Sequence, residues 1–513
     1  MASYYLDDRI AEGRGHNVAV RVGAQSWTYS EVLKLSNRAG NALRSRGIGN
    51  EDRVLVLLPD GIDFVAAWFG ILKVGAVFCM QNPLASADDM AHVLDYTRAR
   101  AVVAHVSVLD RLVPALDRVR EHVRAVFVAD GQGPYGTKRW EEAIIESSDE
   151  LENADTKKDD MAGFLFTSGS TGKPKAAVHL HHDFPWNTEC YAKRVLAMTE
   201  KDVCVSVPKL FFGYATGTNL MFPFAVGATA CLFPARSTPE AVYDAIERFR
   251  PTLLTNVPTM IAQMLDHERA KTADLSCLRA VLSAGEALPE ELHRRWLDRF
   301  GVEILDGIGS AEMFHIYITN APGDVVMGSL GKVVPGYEAK IVGADGNEVP
   351  DGEIGRLKVR GDSCAVGYFR DHESSKATFE GDWCLSADLF RRDRDARFWY
   401  VGRADDVLKV HGVFVAPAEI EACLLLHPAV RESAVIGVTD DNGLTVAKAF
   451  VVVRDGHGTA DALAQELRTF VREKIGAHKS PQLVAFLGEL PRNDRGKVNR
   501  RALRDGAEAP SGN

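Results

Sequence analysis

Short hydrophobic runs alternate with longer amphipathic segments from the N-terminus to about residue 329. Segments 31–44 and 64–74 have the apolar spacing of amphipathic helices, and Ser30 is expected to cap the first. The hydrophobic runs have the length of buried strands and lie at 53–58, 102–104, 125–128, 203–207, 229–233 and 280–283. This alternation predicts a layered α/β architecture with largely parallel sheets.

The pattern changes after about Ser329 to short strands separated by glycine turns, as at 338–342 and 355–360. This pattern of short strands and glycine turns predicts a small antiparallel or barrel-like subdomain. The charge-rich stretch 391–397 is expected to form the solvent-exposed turn of a hairpin.

A separate small α+β unit is expected from Gly402 onward. Its predicted helices lie at 416–426 and 460–475, and its predicted strands at 435–438 and 447–453. The expected fold class is therefore α/β. Residues 1–404 form a large N-terminal domain of layered α/β sheets with the barrel-like subdomain, and residues 405–513 form a small C-terminal domain.

Composition narrows the functional classes. A chain of 513 residues with 46% hydrophobic and 25% charged residues is typical of a globular protein. The formal net charge of −10, without a concentrated basic face, argues against a nucleic-acid partner. The N-terminus does not resemble a secretory signal, and charges interrupt the most apolar stretch, 54–80, so we expect a cytoplasmic protein without a membrane partner. The eight cysteines, without a C-x-x-C pair, are expected to be reduced core thiols.

One loop has the chemistry of a phosphate-binding site. It comprises Thr167, Ser168, Gly169, Ser170, Thr171, Gly172, Lys173, Pro174 and Lys175, and it follows the apolar run 162–166. Glycines allow the backbone to approach an anion closely, while N–H groups, hydroxyls and lysines donate to phosphate oxygens. The common G-x-x-x-x-G-K-[ST] pattern is absent. A polar surface loop between two strands is the alternative interpretation.

Four further groups of residues could belong to a nucleotide-binding site, but each of them alone is a weak indication. Glu312 follows a Gly-rich turn after an apolar run and has the chemistry of a Mg²⁺ ligand, or of a helix cap. The turn 283–286 is small enough for a flat base to pack against its backbone. Asp388 and Arg403 lie near the predicted domain junction, where a carboxylate can bind ribose hydroxyls. Lys497 follows a glycine turn near the C-terminus, where most lysines are simply exposed.

The order and spacing of the five elements resemble the adenylate-forming superfamily of acyl-CoA synthetases, luciferases and peptide-synthetase adenylation domains. The strings at 402–412 and 417–421 carry the same resemblance, which covers nearly the whole chain. It implies ATP, Mg²⁺ and coenzyme A as ligands. It also implies that loop 167–175 binds the β- and γ-phosphates and that Glu312 assists Mg²⁺. The positions it places around the nucleoside are Ser283, Ala284, Gly285, Glu286, Asp306, Gly307, Ile308, Asp388 and Arg403.

The resemblance further implies a mobile C-terminal domain. Lys497 corresponds to the catalytic lysine between the substrate carboxylate and the α-phosphate, and Asp405 to the hinge. Gly412 corresponds to a loop that enters the site after rotation and flanks the pantetheine tunnel. The superfamily usually has Thr before the motif's Glu, where this chain has Ala311. Either Ser310 replaces its hydroxyl at the α-phosphate or adenylation is slower.

The strings 209–214 and 307–316 resemble the benzoate-CoA ligase branch. In that branch the matching positions line a flat slot for an aromatic ring; here they are Gly213, Tyr214, Gly309, His315 and Ile316. Benzoate enzymes commonly have Ala where this chain has Gly213, so space for a small ortho substituent is expected. The predicted substrate is benzoate or an ortho-substituted benzoate such as 2-aminobenzoate (anthranilate). A histidine in an ordinary helical environment is the alternative for His315.

Two other functions stay open at this stage. An aryl-acid-activating enzyme could load a carrier-protein thiol instead of CoA, and a catalytically silent module could bind nucleotide only. The joint presence of Glu312, Asp388, Arg403 and Lys497 argues against the silent module. Family members are often homodimers, and nothing in the sequence defines an interface.

Overall fold

The computed structural model describes residues 1–134, 136–168, 173–404, 408–410, 413–439, 445–454, 456–459, 461–492 and 498–508. The strands are β1 (Val18–Val22), β2 (Gln25–Thr28), β3 (Arg53–Leu57), β4 (Val77–Met80), β5 (Ala101–His105), β6 (Ala125–Ala129), β7 (Lys138–Arg139), β8 (Met161–Ser168), β9 (Pro174–Leu180), β10 (Val203–Ser206), β11 (Thr229–Leu232), β12 (Leu253–Asn256), β13 (Ala280–Ser283), β14 (Ile304–Gly309), β15 (Ile316–Thr319), β16 (Lys332–Val333), β17 (Glu338–Val342), β18 (Ile354–Arg360), β19 (Phe379–Glu380), β20 (Trp383–Arg392), β21 (Phe398–Arg403), β22 (Leu408–Val410), β23 (Val413–Val415), β24 (Val430–Thr439), β25 (Thr445–Val453) and β26 (Leu483–Phe486).

The α-helices are α1 (Tyr29–Arg44), α2 (Ile62–Lys73), α3 (Ala87–Thr97), α4 (Leu109–Val119), α5 (Trp140–Glu146), α6 (Asp183–Asn187), α7 (Gly213–Thr216), α8 (Phe222–Val226), α9 (Pro239–Phe249), α10 (Pro258–Asp266), α11 (Glu290–Phe300), α12 (His372–Thr378), α13 (Pro417–Leu425), α14 (Asp461–Ile475) and α15 (Arg500–Glu508). Short 3-10 and π-helical segments lie at Ser3–Asp7, Ile10–Arg14, Val106–Val108, Arg120–His122, Thr188–Lys193, Gly217–Met221, Glu268–Lys271, Ala311–Met313 and Ala477–Lys479.

Two large sheets confirm the predicted α/β class. The seven-stranded sheet has the order β7-β6-β5-β3-β4-β8-β9, and the nine-stranded sheet has the order β16-β15-β14-β13-β12-β10-β11-β1-β2. Strands β3 to β6 pair in parallel, as do β10 to β14, and antiparallel pairs lie at the sheet edges. Helix α2 is buried over most of its length because it packs in the main core with residues of both sheets.

Helix α1 shows how local sequence sets an element boundary. Thr28 accepts a hydrogen bond from the backbone N–H of Glu31, and the Glu31 carboxylate accepts one from the backbone N–H of Thr28. This capping box satisfies N–H groups that the first helical turn leaves free. The N-cap is therefore Thr28, and the prediction of Ser30 was wrong. Ser30 lies inside the first turn of the helix, because the Thr28–Glu31 pair starts the helix at Tyr29.

The region after Ser329 forms a five-stranded antiparallel sheet of β17 to β21. Strands β20 and β21 form a hairpin, and the charge-rich stretch supplies its turn as predicted. The Asp393 carboxylate accepts a hydrogen bond from the Trp399 indole at 2.8 Å, which ties the turn to β21.

A smaller α+β unit follows. Strand β25 pairs antiparallel with β24 and parallel with β26, and helices α13 and α14 contribute to its own hydrophobic core. The predicted division at residues 404 and 405 lies next to 405–407, which are outside the described residues, and stays a prediction.

All eight cysteines are free thiols, and six of them are buried. No helix in the described ranges is both long and apolar enough to cross a membrane.

Candidate active site

The predicted phosphate loop is the connection of an antiparallel hairpin. Strand β8 ends with Thr167 and Ser168, which lie opposite Lys175 and Pro174 of β9. The hairpin forms the edge of the seven-stranded sheet. Lys173 is exposed. The predicted ligands Gly169, Ser170, Thr171 and Gly172 lie outside the described residues.

Tyr368 connects this hairpin to Glu312. Its hydroxyl donates a hydrogen bond to Glu312 Oε1 at 2.6 Å, and its ring centroid lies 3.6 Å from Lys175 Nζ. Burial and the neighbouring Glu312 charge raise the pKa of Tyr368, so the hydroxyl stays protonated and acts as the donor. A loop lysine and the predicted metal ligand therefore share one aromatic side chain.

Glu312 does not cap a helix. It lies in the short 3-10 turn Ala311–Met313, which leads through Phe314, at φ 67°, into strand β15. Oε1 of the carboxylate accepts a hydrogen bond from the Tyr368 hydroxyl. Oε2 has no hydrogen-bond donor among the described residues. One half-buried carboxylate with a free oxygen fits a Mg²⁺ ion that takes its other ligands from phosphate and water.

A buried histidine contacts the backbone of the same turn. His179 Nε2 donates to the Ala311 carbonyl at 2.6 Å, and Nδ1 lies 2.7 Å from Asp183 Oδ2. The His179 ring therefore bridges the Asp183 carboxyl group and the Ala311 carbonyl. His179 and Asp183 are fully buried. A buried histidine–aspartate pair thus holds the backbone beside Glu312.

Ser283 and Asp306 are neighbours at the carboxyl ends of the parallel strands β13 and β14. Ligands of α/β sheets bind at such ends. Burial raises the pKa of Asp306 to about 8, although the Ser283 hydroxyl and the Gly307 N–H favour its charged form. Asp306 is therefore largely protonated near neutral pH.

The turn after β13 contains Ala284, which is buried, and Gly285, which has a φ of +90° that favours glycine. Glu286 Oε2 accepts hydrogen bonds from Thr259 N at 3.0 Å and Thr259 Oγ1 at 2.7 Å. Thr259 lies in the first turn of α10, so the Glu286 carboxylate occupies the N-terminus of that helix.

Asp388 and Arg403 are directly opposite each other on strands β20 and β21. Asp388 is half-buried and Arg403 is exposed. Antiparallel pairing brings these two predicted ribose ligands together, although fourteen positions separate them in the sequence.

Aromatic rings surround His315, which is 2% exposed. The ring centroids of Phe222, Tyr214 and Tyr191 lie 4.7, 5.3 and 5.7 Å from that of His315. Burial lowers the pKa of His315 to about 4, so the imidazole is neutral at pH 7. Its Nε2 donates to the Tyr214 carbonyl at 3.0 Å, and its Nδ1 is a buried acceptor without a partner in the described structure.

Three glycines determine the space around His315. A Cβ at Gly217 would lie 2.4 Å from His315 Cδ2, and one at Gly309 would lie 2.5 Å from the His315 carbonyl oxygen. A Cβ at Gly213 would instead meet Leu165 at ordinary contact distances of 3.4 and 3.5 Å. Gly217 and Gly309 are therefore required by packing, whereas Gly213 is not.

The strand pairing brings the other predicted positions to the same region. Gly309 lies opposite Ile316, and Gly307 and Ile308 pair with Thr319 and Ile318 across β14 and β15. Ser310 and Ala311 connect β14 to the Glu312 turn. The predicted catalytic Lys497, the hinge Asp405 and the tunnel residue Gly412 lie outside the described residues.

Two segments match a known family. The sequence pattern of the AMP-binding enzymes matches residues 7–369, and that of the AMP-binding enzyme C-terminal domain matches residues 419–497. The chain belongs to the AMP-binding enzymes.

Several relatives of this AMP-binding enzyme are aryl-CoA ligases. The benzoate–CoA ligase of Thauera aromatica is 41% identical over 96% of this chain and 94% of its own length. The 4-hydroxybenzoate–CoA/benzoate–CoA ligase of Rhodopseudomonas palustris is 36% identical over 98% of this chain and 93% of its own length. The protein is an AMP-forming acid–CoA ligase of the benzoate–CoA ligase type.

Solved structures agree with this assignment. The anthranilate CoA ligase AuaEII, in complex with anthranoyl-AMP, has a TM-score of 0.95 at 36% identity and covers 99% of this chain and 97% of its own. A benzoate CoA ligase from Burkholderia xenovorans LB400 has a TM-score of 0.90 at 38% identity and covers 98% of this chain and 99% of its own.

Sequence reasoning missed several residues of the AMP-binding enzyme's site, namely Tyr368, His179, Asp183 and Gly217. The four-residue spacing of His179, in β9, and Asp183, just after it, was the sequence signal for that pair. Tyr368 and Gly217 have no local signal, because their partners lie far away in the sequence.

Proposed function

We propose that this enzyme activates a benzoate-type acid with ATP and transfers the aroyl group to CoA. A carboxylate oxygen bonds to the α-phosphorus as the bond to pyrophosphate breaks, which forms an aroyl adenylate. The CoA sulfur then bonds to the carbonyl carbon as the thiol loses its proton and AMP leaves. The aromatic cluster around the neutral His315, continuous with the Glu312 turn, carries this proposal.

The first step must overcome repulsion between two anions. The residues assigned to this task are the hairpin 167–175 at the β- and γ-phosphates and Lys497 between the carboxylate and the α-phosphate. Glu312 would hold Mg²⁺ through its free oxygen, and the bound ion would supply positive charge against the phosphates. Ser310 is assigned to the α-phosphate, where Ala311 lacks a hydroxyl.

The nucleoside is assigned to the ends of β13 and β14. Adenine would lie against 283–286 and 306–308, where Asp306, protonated near neutral pH, can donate a hydrogen bond. The cross-strand pair Asp388 and Arg403 would bind the ribose.

The second step needs a thiol rather than a lysine at the carbonyl carbon. Rotation of the C-terminal unit about Asp405 would withdraw Lys497 and bring Gly412 to the pantetheine tunnel. One site would thereby serve both half-reactions.

The substrate is proposed to be 2-aminobenzoate in preference to benzoate. Gly213 leaves out a methyl group beside Leu165 and the Phe314 carbonyl, where a Cβ would meet ordinary contacts. The unpartnered Nδ1 of His315 can accept a hydrogen bond from an ortho amino group. The anthranoyl-AMP complex of the similar structure makes this acid a reasonable choice.

An ATP- and CoA-dependent assay with a panel of aryl acids, in which AMP and thioester mass are read together, tests the proposal. Wild type should turn over 2-aminobenzoate better than benzoate. Gly213→Ala should fold normally and lower the 2-aminobenzoate to benzoate ratio of kcat/KM about tenfold, because one methyl group fills the space.

Gly217→Ala serves as the contrasting variant. Its Cβ would displace the His315 ring, so turnover of both acids should fall. Equal or better turnover of benzoate by wild type would exclude the ortho-substituent preference. Absence of AMP with every aryl acid would exclude the function itself.

A further inference from the structure

Tyr368 contacts two residues assigned to the reaction yet has no assigned role of its own. The hydroxyl lies 2.6 Å from Glu312 Oε1, the ring lies 3.6 Å from Lys175 Nζ, and the residue is 7% exposed. A tyrosine that only filled space would need neither polar contact.

The backbone around Tyr368 is tied to strand β9, which also carries Lys175. Tyr368 forms a bridge with Ala177, and Phe369 N donates to the Ala176 carbonyl at 2.9 Å. Tyr368 N donates to Ser375 Oγ at 2.9 Å, and the ring packs edge-on against Phe379 at 5.3 Å. The ring and hydroxyl are therefore held in place independently of any ligand.

We infer that Tyr368 is a positioning residue that orients the Glu312 carboxylate for the divalent cation and holds Lys175 beside the phosphate hairpin. This inference rests on the proposed function, in which Glu312 binds the cation. The hydroxyl donates to Oε1 and limits rotation of the carboxylate, and Oε2 has no donor among the described residues. Partners of metal ligands typically matter about 10-fold to 100-fold for metal affinity.

The hydroxyl is tested with Tyr368→Phe, which keeps the ring. Binding of Mn²⁺ to the enzyme–ATP complex, followed by electron paramagnetic resonance, measures the cation site without turnover. We expect the Mn²⁺ dissociation constant to rise about tenfold or more in Tyr368→Phe and in Glu312→Gln. The double variant should bind no more weakly than Glu312→Gln, because the hydroxyl acts through that carboxylate.

Tyr96→Phe is the matched control. The Tyr96 hydroxyl accepts from Ala176 N at 3.3 Å and donates to the Phe369 carbonyl, so it joins the same two segments without contacting Glu312. Its removal should leave Mn²⁺ affinity at the wild-type value. If Mn²⁺ affinity fell equally in Tyr96→Phe, the effect of Tyr368→Phe would be due to local packing, and the inference would be overturned.

The outcomes separate this inference from the proposed function. Wild-type Mn²⁺ affinity in Tyr368→Phe, with weakened affinity in Glu312→Gln, overturns the role of Tyr368 alone. Unchanged affinity in both variants overturns the Glu312 assignment as well. A double variant weaker than Glu312→Gln shows that the hydroxyl acts elsewhere, which also overturns the inference.

The ring is tested separately, by ATP binding in EDTA. Tyr368→Leu and Lys175→Met should each weaken ATP several-fold, because both remove the contact between ammonium and ring. Tyr368→Phe should bind ATP like wild type under these conditions. Equal ATP affinity of the Leu and Phe variants would overturn the role of the ring.

Discussion

Asp306 and His315 are both buried in an uncharged form at the candidate site, and the cause is the same. Burial raises the pKa of Asp306 to about 8 and lowers that of His315 to about 4. Burial disfavours the charged form of either group when no opposite charge is near. The lining for the proposed base and aryl ring is therefore polar but largely neutral at pH 7.

Asp306 predicts a pH dependence of stability. Its folded pKa lies above the ordinary value of 3.8, so its stabilising contribution is complete below pH 4 and is lost as pH rises through about 8. Asp306→Asn removes this loss. The melting temperature of the variant relative to wild type should therefore rise from pH 5 to pH 8, measured by scanning calorimetry.

Asp202 offers a control of opposite sign. It is buried, but hydrogen bonds from Arg279 and Thr252 outweigh burial and lower its pKa. Asp202 is thus ionised in both the folded and the unfolded chain across pH 5–8. The melting-temperature difference between Asp202→Asn and wild type should be constant in that range. The same constant difference for Asp306→Asn would show that Asp306 is ionised in the fold.

At the scale of elements, the site is where three segments meet. Strand β9 carries Lys175 and His179, the turn Ala311–Met313 carries Glu312, and the loop before α12 carries Tyr368. Helix α6 begins with Asp183, which contacts His179. Tyr368 contacts Glu312 and His179 contacts Ala311, so the position of Glu312 depends on how β9 and the loop before α12 pack against the turn.

Asp183→Asn tests this support. The change substitutes an amide for the carboxyl group that contacts His179, whose second hydrogen bond holds the Ala311 carbonyl. We expect the free energy of unfolding to fall by about 1–3 kcal/mol, measured by urea denaturation. Pyrophosphate exchange should slow as well, because the Glu312 turn loosens.

An exposed aspartate supplies the comparison. Asp155 pairs with Lys157 at the surface, so Asp155→Asn should change the free energy of unfolding by no more than about 0.5 kcal/mol. Stability and exchange at wild-type levels in Asp183→Asn would contradict the supporting role of the buried pair.

At the scale of the whole molecule, the residues assigned to the two half-reactions are distributed between the sheets and a separate α+β unit. The two large sheets and the five-stranded sheet, with their connecting turns, carry the residues assigned to ATP and to the aryl ring. The smaller unit belongs to the part of the chain that carries Lys497. The first half-reaction forms a bond at the α-phosphorus and the second at the carbonyl carbon. We therefore expect the two half-reactions to depend on different residues of that unit.

Lys497→Ala should separate the half-reactions. Adenylate formation should fall by more than about a hundredfold, since no other group is assigned to neutralise the attacking carboxylate at the α-phosphate. Thioester formation from a supplied aroyl adenylate should persist. Pyrophosphate exchange measures the first activity, and thioester mass measures the second.

Lys479→Ala is the control from the same unit. Lys479 pairs with Glu419 at 2.6 Å and has no assigned role, so both half-reactions should continue at wild-type rates. Loss of both half-reactions in Lys497→Ala would contradict the role given to Lys497.

The sequence by itself determined the features that depend on local pattern. Apolar runs became the buried strands, glycine and hydroxyl residues marked the connection between β8 and β9, and the order of the motifs indicated the family. These signals are readable because strand formation and turn chemistry act over a few residues. The start of α1 also follows from local sequence, through the Thr28–Glu31 capping box rather than through Ser30.

Only the tertiary structure decided which side chains support those motifs. Tyr368 meets Lys175 and Glu312, His179 meets Ala311, and Gly217 admits the His315 ring, all across large separations in sequence. Such contacts follow from how sheets, turns and loops pack, and packing complementarity leaves no periodic trace in the sequence. The motif order thus identified the family, and long-range packing determined how the groups of the candidate site are held.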